Sequence, residues 1–343
     1  MPDSRAVQEG DPAFPESFSV GGSSGVVIRP PLVLAPMAGL TDVTFRCVVR
    51  RCGGVGLVVS ELLSSEGVTR DAPRALDNMT IAAEEHPVAL QLSGSNPERM
   101  AESARRCVDL GADLIDLNMG CPAPRVTRSG AGAALMRNPA GAAALAEAVV
   151  KAVEVPVTAK LRLGWSEGEK NFIEVSRLLV DSGVAALTLH GRTRKRGYSG
   201  SADWEAVAML KESASVPVIG NGDIEEPHQA LDRMRASGCD AIMIGRAALK
   251  NPWIFSRIVQ LAATGSFSEP SKDERINLIR EHLNLLLDGL PPKPALFRMK
   301  SFLGKYTAGL DGAVSLRRRL NDLKTPEQLT AAFEEWVSDS RYP

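Results

Sequence analysis

The chain has 343 residues, with 40 Lys plus Arg against 41 Asp plus Glu and a formal net charge of −1. Its 44% hydrophobic and 24% charged residues are those of a soluble globular protein long enough to bury a large core, so two domains, or one large α/β unit with an appendage, are expected. A collagen, a disulfide miniprotein, a coiled-coil rod, a disordered chain and a simple polycation coating nucleic acid are excluded.

Cys47, Cys52, Cys107, Cys121 and Cys239 form no Cys-x-x-Cys pair, and the four histidines are scattered. Neither a disulfide framework nor a zinc site follows, and a reducing cytoplasm is the expected setting. No apolar run approaches the ~18 residues of a membrane-spanning helix. The acidic N-terminus, lacking an apolar stretch, is not expected to be a signal peptide.

In chain order, residues 1–25 carry Asp3, Glu9, Asp11 and Glu16 and end in Gly21-Gly22-Ser23-Ser24-Gly25; a flexible tail is expected. Eight short apolar runs then follow: Leu32–Ala35, Gly56–Ser60, Val88–Leu92, Leu114–Asn118, Val155–Leu161, Ala186–His190, Val216–Gly220 and Ala241–Ile244. Amphipathic stretches such as Pro97–Leu110, Pro139–Val153, Asn171–Ser182, Trp204–Glu212 and Pro227–Ser237 separate them. Buried strands alternating with helices predict βαβ units and a parallel sheet. Eight units fit a TIM (β/α)8 barrel over 26–258 better than an open sheet, and the Gly-x-Gly-x-x-Gly of a dinucleotide fold is missing after the first run. From 265 to 343 the strand-like runs stop, and helical periodicity over 272–289, 295–309 and 325–338 predicts a small, mildly basic all-helical domain.

In such a barrel the site lies at the carboxyl ends of the strands. There the runs terminate in Ala35-Pro36-Met37-Ala38-Gly39, Gln91, Asn118-Met119-Gly120-Cys121-Pro122, Lys160, His190-Gly191-Arg192, Gly220-Asn221-Gly222-Asp223 and Gly245-Arg246. Glycines after the last two runs let backbone N–H groups approach a phosphate, with Arg246 as a charged donor. Lys160 closes an otherwise apolar run and needs a partner, either a bound anion or a neighbouring carboxylate. Gln91 can hydrogen-bond the edge of a heterocycle, and His190 shares that rim. Cys121 is a candidate general acid, or a thiolate nucleophile if Arg125, Arg128 and Arg137 lower its pKa. The other cysteines read as structural. Arg192, Arg194, Lys195 and Arg196, with Tyr198 and Trp204 nearby, are candidate contacts to a nucleic-acid backbone; Arg298, Lys300, Lys305 and Arg317-Arg318-Arg319 add to them.

The segments Ala35-Pro36-Met37-Ala38-Gly39-Leu40-Thr41-Asp42, Asn118-Met119-Gly120-Cys121-Pro122, Leu189-His190-Gly191-Arg192-Thr193, Gly220-Asn221-Gly222-Asp223 and Met243-Ile244-Gly245-Arg246-Ala247-Ala248, with Asn251-Pro252-Trp253, resemble those of the tRNA-dihydrouridine synthases, most of all the bacterial B-type branch. The resemblance spans about residues 28–258 and continues loosely beyond. It implies an FMN-binding barrel and a helical tRNA-binding domain, with NADPH as reductant and hydride passing to C6 of a uridine in tRNA. Cys121 matches the cysteine that protonates C5. Carried over by motif, Pro36, Met37, Ala38, Gln91, Lys160, Asn221, Gly222, Asp223, Gly245 and Arg246 would hold FMN. His190 matches the histidine near the flavin, and Asn118 the asparagine beside the substrate. A uridine in folded tRNA must be flipped out to reach such a site. A monomer without membrane or metal partners is expected. Pro124-Arg125-Val126 stands where the family has a lysine-rich turn, so RNA contacts there differ. Two rivals are a flavin barrel acting on a free pyrimidine and a noncatalytic RNA-binding protein. A free base needs neither a basic rim nor a helical appendage, and a decayed site would not keep Cys121, Lys160 and both glycine loops.

Overall fold

The computed structural model describes residues 14–22 and 25–339. Eight parallel strands, here β1 (Leu32–Leu34), β2 (Leu57–Val59), β3 (Val88–Ser93), β4 (Leu114–Met119), β5 (Val157–Arg162), β6 (Ala186–His190), β7 (Val218–Asn221) and β8 (Ala241–Ile244), fall on the eight predicted runs. They pair in sequential order, and β8 pairs with β1 to close a barrel. A two-residue strand, Leu63–Ser64, adds to the outer part of β3.

Closure gives each strand an outer and an inner face with a period of two. On β4, Ile115, Leu117 and Met119 pack outward into the main core with the surrounding helices. The alternate residue Leu114 faces a second apolar cluster inside the barrel, with Val33, Leu57, Ala89, Ala186, Ile219 and Ala241. These are early residues of their strands, so the barrel is apolar at its amino end. Inward positions further along β4, β5 and β6 are Asp116 and Asn118, Thr158 and Lys160, and Thr188 and His190, which makes the carboxyl end polar.

The tail expected over 1–25 is corrected over part of its length; residues 1–13 and 23–24 lie outside the described set. Phe18–Val20 pairs antiparallel with Val26–Ile28. Val20 and Ile28 are fully buried and join the inner cluster. The small Ala89, Ala186 and Ala241 leave room at the amino end, and the hairpin closes it, burying apolar area that offsets the entropy of ordering the segment.

Helix Ile254–Thr264 runs past residue 258 and stops at Gly265, whose φ of 73° suits a left-handed cap. Helices Lys272–Gly289, Pro292–Tyr306, Ala313–Leu320 and Pro326–Ser338 follow. They pack on the barrel through helix Val43–Cys52: Phe45 stacks on Phe302 with centroids 5.1 Å apart, and Thr44 Oγ1 lies 3.3 Å from His282 Nε2. Arg298 reaches back to Asp42 and to Glu61, the latter at 3.2 Å. Glu61 in turn accepts from the Gly39 N–H at 2.5 Å, tying this helix to the loop after β1. No helix among the described residues is long and apolar enough to cross a membrane.

Candidate active site

A cavity of about 610 Å³ opens at the carboxyl end of the barrel, within the size range of small-molecule and cofactor sites. Every residue that the resemblance assigns to the cofactor, the uridine or the proton lines it. Pro36, Met37 and Ala38 come from the loop after β1, Gln91 from β3, and Asn118 and Cys121 from β4 and its loop. Lys160 and His190 come from β5 and β6, Asn221, Gly222 and Asp223 from the end of β7, and Gly245 and Arg246 from the end of β8.

Strand register sets the central polar side chains beside one another on neighbouring strands. Gln91 is level with Asp116, Asn118 with Lys160, and His190 with Asn221. Asp116 accepts from Gln91 Nε2 at 2.7 Å and from Thr158 Oγ1 at 2.6 Å. Gln91 Oε1 accepts from Asn118 Nδ2 at 2.7 Å, and Asn118 Oδ1 accepts from the backbone N–H of Cys121 at 2.9 Å. A continuous hydrogen-bonded chain therefore runs from beneath the cavity floor to the cysteine loop. Burial raises the pKa of Asp116 above the usual carboxylate range, partly countered by its Thr158 and Gln91 partners and by Lys160.

Lys160 Nζ donates to Asn221 Oδ1 at 2.9 Å, and Asn221 Nδ2 is held by the carbonyl of Met243 at 2.8 Å. The partner of the ammonium is thus an amide oxygen. Burial first, then the Arg162 guanidinium, lowers the Lys160 pKa to about 7, against the pull of Asp116. His190 is held neutral: burial, then Lys160, Arg162, Arg192 and Arg246, push its pKa far below its ordinary value. Its Nε2 lies 3.4 Å from Arg192 Nη1. Arginine can only donate, so Nε2 accepts and the imidazole proton sits on Nδ1.

At the β7 and β8 ends, Asp223 accepts from Arg192 at 2.6 Å, from the Ala202 N–H at 2.8 Å and from Arg246 at 3.2 Å. Asp223 thereby fixes the direction of Arg246, which also lies over the Tyr198 ring at 4.9 Å. Gly222 has a φ of 137°, and a Cβ there would fall 2.5 Å from that of Ala202. Gly220, expected beside an anion, serves packing instead: a Cβ would meet the Trp204 ring at 2.4 Å.

Three further expectations are corrected. Arg192 is buried, donating to the Ser199 and Gly200 carbonyls and to Asp223, so it braces the loop after β6 and is not a surface contact. Arg298, Lys300 and Lys305 are likewise engaged internally, with Asp42 and Glu61, the Leu323 carbonyl and Ser301. The arginine against the cysteine loop is Arg162, whose Nε donates to the Gly120 carbonyl at 2.8 Å; Arg125 and Arg128 are exposed. Asp116, Thr158 and Arg162 were not singled out from the sequence. Each stands two residues from a residue that was, so the inward period of two was the signal that could have found them.

Cys121 is set apart from the other cysteines by its place on the cavity. Cys47 and Cys107 lie buried on helices, with burial pushing both thiols up to about 12, and Cys239 is buried beside β8. All five are free thiols.

A closed parallel barrel carrying a polar, partly titratable cavity on its strand ends defines an α/β-barrel enzyme. Among solved structures, the fold matches the old yellow enzyme homologue from Zymomonas mobilis with a TM-score of 0.55 at 14% identity, covering 77% of this chain and 96% of that one. The sequence narrows the class: residues 33–340 match the dihydrouridine synthase (Dus) family model. The chain is 40% identical over 313 residues to tRNA-dihydrouridine synthase B of Xanthomonas campestris pv. campestris, covering 90% of this chain and 93% of that protein. It is 38% identical over 309 residues to tRNA-dihydrouridine synthase B of Pseudomonas aeruginosa and 39% identical over 309 to the probable tRNA-dihydrouridine synthase of Rickettsia conorii, each covering 90% of this chain and 93% of the relative. The protein belongs to the dihydrouridine synthase family of enzymes.

Proposed function

We propose that this protein is a tRNA-dihydrouridine synthase that binds FMN in the 610 Å³ cavity, takes its electrons from NADPH and reduces the C5–C6 double bond of uridines in tRNA. The single observation that carries the reading is that the motif residues of a dihydrouridine synthase sequence, contributed by seven strands and their loops, all line one cavity.

The donor set suits a flavin mononucleotide. Gln91, with one amide N–H and one oxygen lone pair committed inside the protein, keeps one donor and one acceptor for a heterocycle edge. The ammonium of Lys160 has two further hydrogens beyond the one given to Asn221. Arg246, aimed by Asp223 beside Gly222 and Gly245, offers a guanidinium to a phosphate. Pro36, Met37 and Ala38 form an apolar wall. Bound FMN, once reduced by NADPH, supplies the hydride that C6 of the uridine accepts.

The protein's own part is to place the base and deliver a proton. Cys121, on the cavity wall, would give its thiol proton to C5 as C6 gains the hydride, and would regain a proton from solvent. Asn118, linked to Gln91 on one side and to the Cys121 N–H on the other, would hold the cysteine loop in register with the cofactor side of the cavity. His190, neutral and hydrogen-bonded through Nε2, would present its Nδ1–H as a donor. The helices after Gly265 would hold the tRNA outside the mouth, and the cytoplasm would be the place of work.

The test is anaerobic. Protein reduced with NADPH is mixed with unmodified tRNA in one cuvette and with orotate or uracil in another. Rapid return of oxidised flavin absorbance with tRNA alone is the expected result. Return with the free pyrimidine would transfer the assignment to a pyrimidine dehydrogenase, and failure to retain FMN would overturn the reading of the cavity.

A further inference from the structure

Beside the cavity, three loops at the carboxyl end of the barrel converge on Trp165. The Arg137 guanidinium carbon lies 5.0 Å from the indole centroid and that of Arg194 4.6 Å from it. Arg137 ends the 3-10 turn Gly132–Arg137 after β4, Trp165 follows β5, and Arg194 follows β6. The two guanidiniums are therefore within about 10 Å of one another.

The loops are locked together by backbone-directed hydrogen bonds. Asn171 Nδ2 donates to the Met136 carbonyl at 2.7 Å, fixing the base of Arg137. The N–H groups of Arg194 and Lys195 donate to the carbonyls of Gly164 and Trp165 at 2.9 and 3.0 Å. The platform abuts the cysteine loop, because the Ala133 N–H, one turn before Arg137, donates to the Cys121 carbonyl at 3.1 Å.

These two arginines differ from most others in the protein. Arg46, Arg51, Arg99, Arg106, Arg192, Arg246, Arg280 and Arg298 each meet a carboxylate. Among the described residues neither Arg137 nor Arg194 has an ion pair, and Arg194 Nε is buried without a hydrogen-bond partner. The nearby carboxylate of Glu167 is occupied by Thr193, Lys170 and Arg196. Stacking on an aromatic face orients a guanidinium without using its N–H groups; with the Nε of Arg194 turned inward, its Nη groups are the donors left for a phosphate.

We propose that Arg137 and Arg194, held on Trp165, form a phosphate clamp for the RNA backbone next to the uridine that enters the cavity, on the Cys121 side of the mouth. The inference rests on the tRNA reading above and adds the surface that reads the strand. A strand whose base is flipped into the mouth needs its flanking phosphates fixed, and these two cations supply fixed donors without a competing carboxylate. Exposed Arg125, Arg128 and Lys195 on the same loops extend the positive field around it.

The experiment measures binding of unmodified tRNA to FMN-loaded protein across a series of KCl concentrations, for the parent and for Arg137→Gln, Arg194→Gln, the double variant and Trp165→Leu. Each arginine change is expected to weaken binding ~3–10-fold and to flatten the slope of log K against log salt by about 0.7–0.9, the share of one phosphate contact. Trp165→Leu, which keeps both charges but removes the stacking face, is expected to weaken binding while leaving most of the slope. Retention of FMN, and its reduction by NADPH in the absence of tRNA, should stay at the parent values, which a general loss of folding would not allow. Parental affinity and slope in the double variant overturn the clamp alone. Absence of tRNA binding by the parent overturns both the clamp and the function it rests on.

Discussion

Two buried charged clusters lie a few strands apart and behave in opposite ways. Arg46 and Glu85 are 1% and 0% exposed, and the arginine gives its N–H groups to both Glu85 oxygens at 3.1 Å and to the Thr41 and Thr80 carbonyls at 2.8 Å. Four of the five guanidinium N–H groups are met by protein and no cavity opens on them, so this cluster fastens helix Val43–Cys52 to the segment before β3. Lys160, by contrast, donates to Asn221 and otherwise faces a cavity, above an Asp116 whose partners are neutral. A saturated buried charge is structure; a buried charge with donors left over beside a void is waiting for a ligand.

The sharpest way to test that division is at the reacting end of the polar cluster. Cys121→Ala should still pass electrons from NADPH to bound flavin yet lower dihydrouridine formation by ~10²–10⁴-fold, the usual worth of a positioned general acid. Stopped-flow reduction and nucleoside analysis of the tRNA read the two halves separately, and full product yield would remove the cysteine from its role.

On the saturated side the effect should appear in stability. Arg46→Met strands Glu85 in the core and is expected to cost ~3–5 kcal/mol in denaturant unfolding. FMN affinity of the folded protein should not change.

Lys160→Met should give the mirror image. The apoprotein is expected to be at least as stable as the parent, while the dissociation constant for FMN rises ~10-fold or more through loss of a charge-assisted hydrogen bond. The pH dependence follows from the sign of the shift. A lysine near 10.5 when unfolded and about 7 when folded leaves the unfolded chain holding more protons between those values. Its contribution to apoprotein stability therefore rises with pH from about 7 to 10.5 and is level outside that window. The variant should lose that part of the slope. An anion seated on Lys160 favours the charged form, so FMN binding near pH 8 should take up a proton, visible by calorimetry in two buffers of different ionisation heat.

The smallest change is expected for Asp116→Asn. With both oxygens accepting from neutral donors and the pKa already raised, an amide can replace the acid if the Thr158 hydroxyl turns to accept. Stability should move by about 1 kcal/mol or less, and FMN affinity by a few-fold at most. A large loss of either would mean that the carboxylate charge itself is required.

The legible part of the site was its outer rim. Pro36, Gln91, Asn118, Cys121, Lys160, His190, Asn221 and Arg246 each interrupt an apolar run at the end where a parallel barrel carries its chemistry, so strand pattern and topology located them together. Arg162, Asp116 and Thr158 lie on the same inner face and escaped notice, because reading the runs as continuously apolar hides the alternation inside a closed barrel. Arg192 and Arg298 misled in the other direction. A charge run in sequence looks like a solvated surface, and only the packing shows Arg192 buried against Asp223 and Arg298 clasped by Asp42 and Glu61.

By itself the sequence determined the eight strands, their parallel order, the helical end of the chain and the residues at the strand tips, because hydrophobic periodicity and local chain breaks are properties of neighbours along the chain. Tertiary structure decided the rest: the plug formed by Phe18–Val20 and Val26–Ile28, which guanidinium is free and which is braced, the direction of the Asp116–Gln91–Asn118–Cys121 chain, and the meeting of Arg137 and Arg194 on Trp165. Those features depend on contacts between residues far apart in sequence. The cost of a buried charge or an open donor is set by what stands opposite it in space.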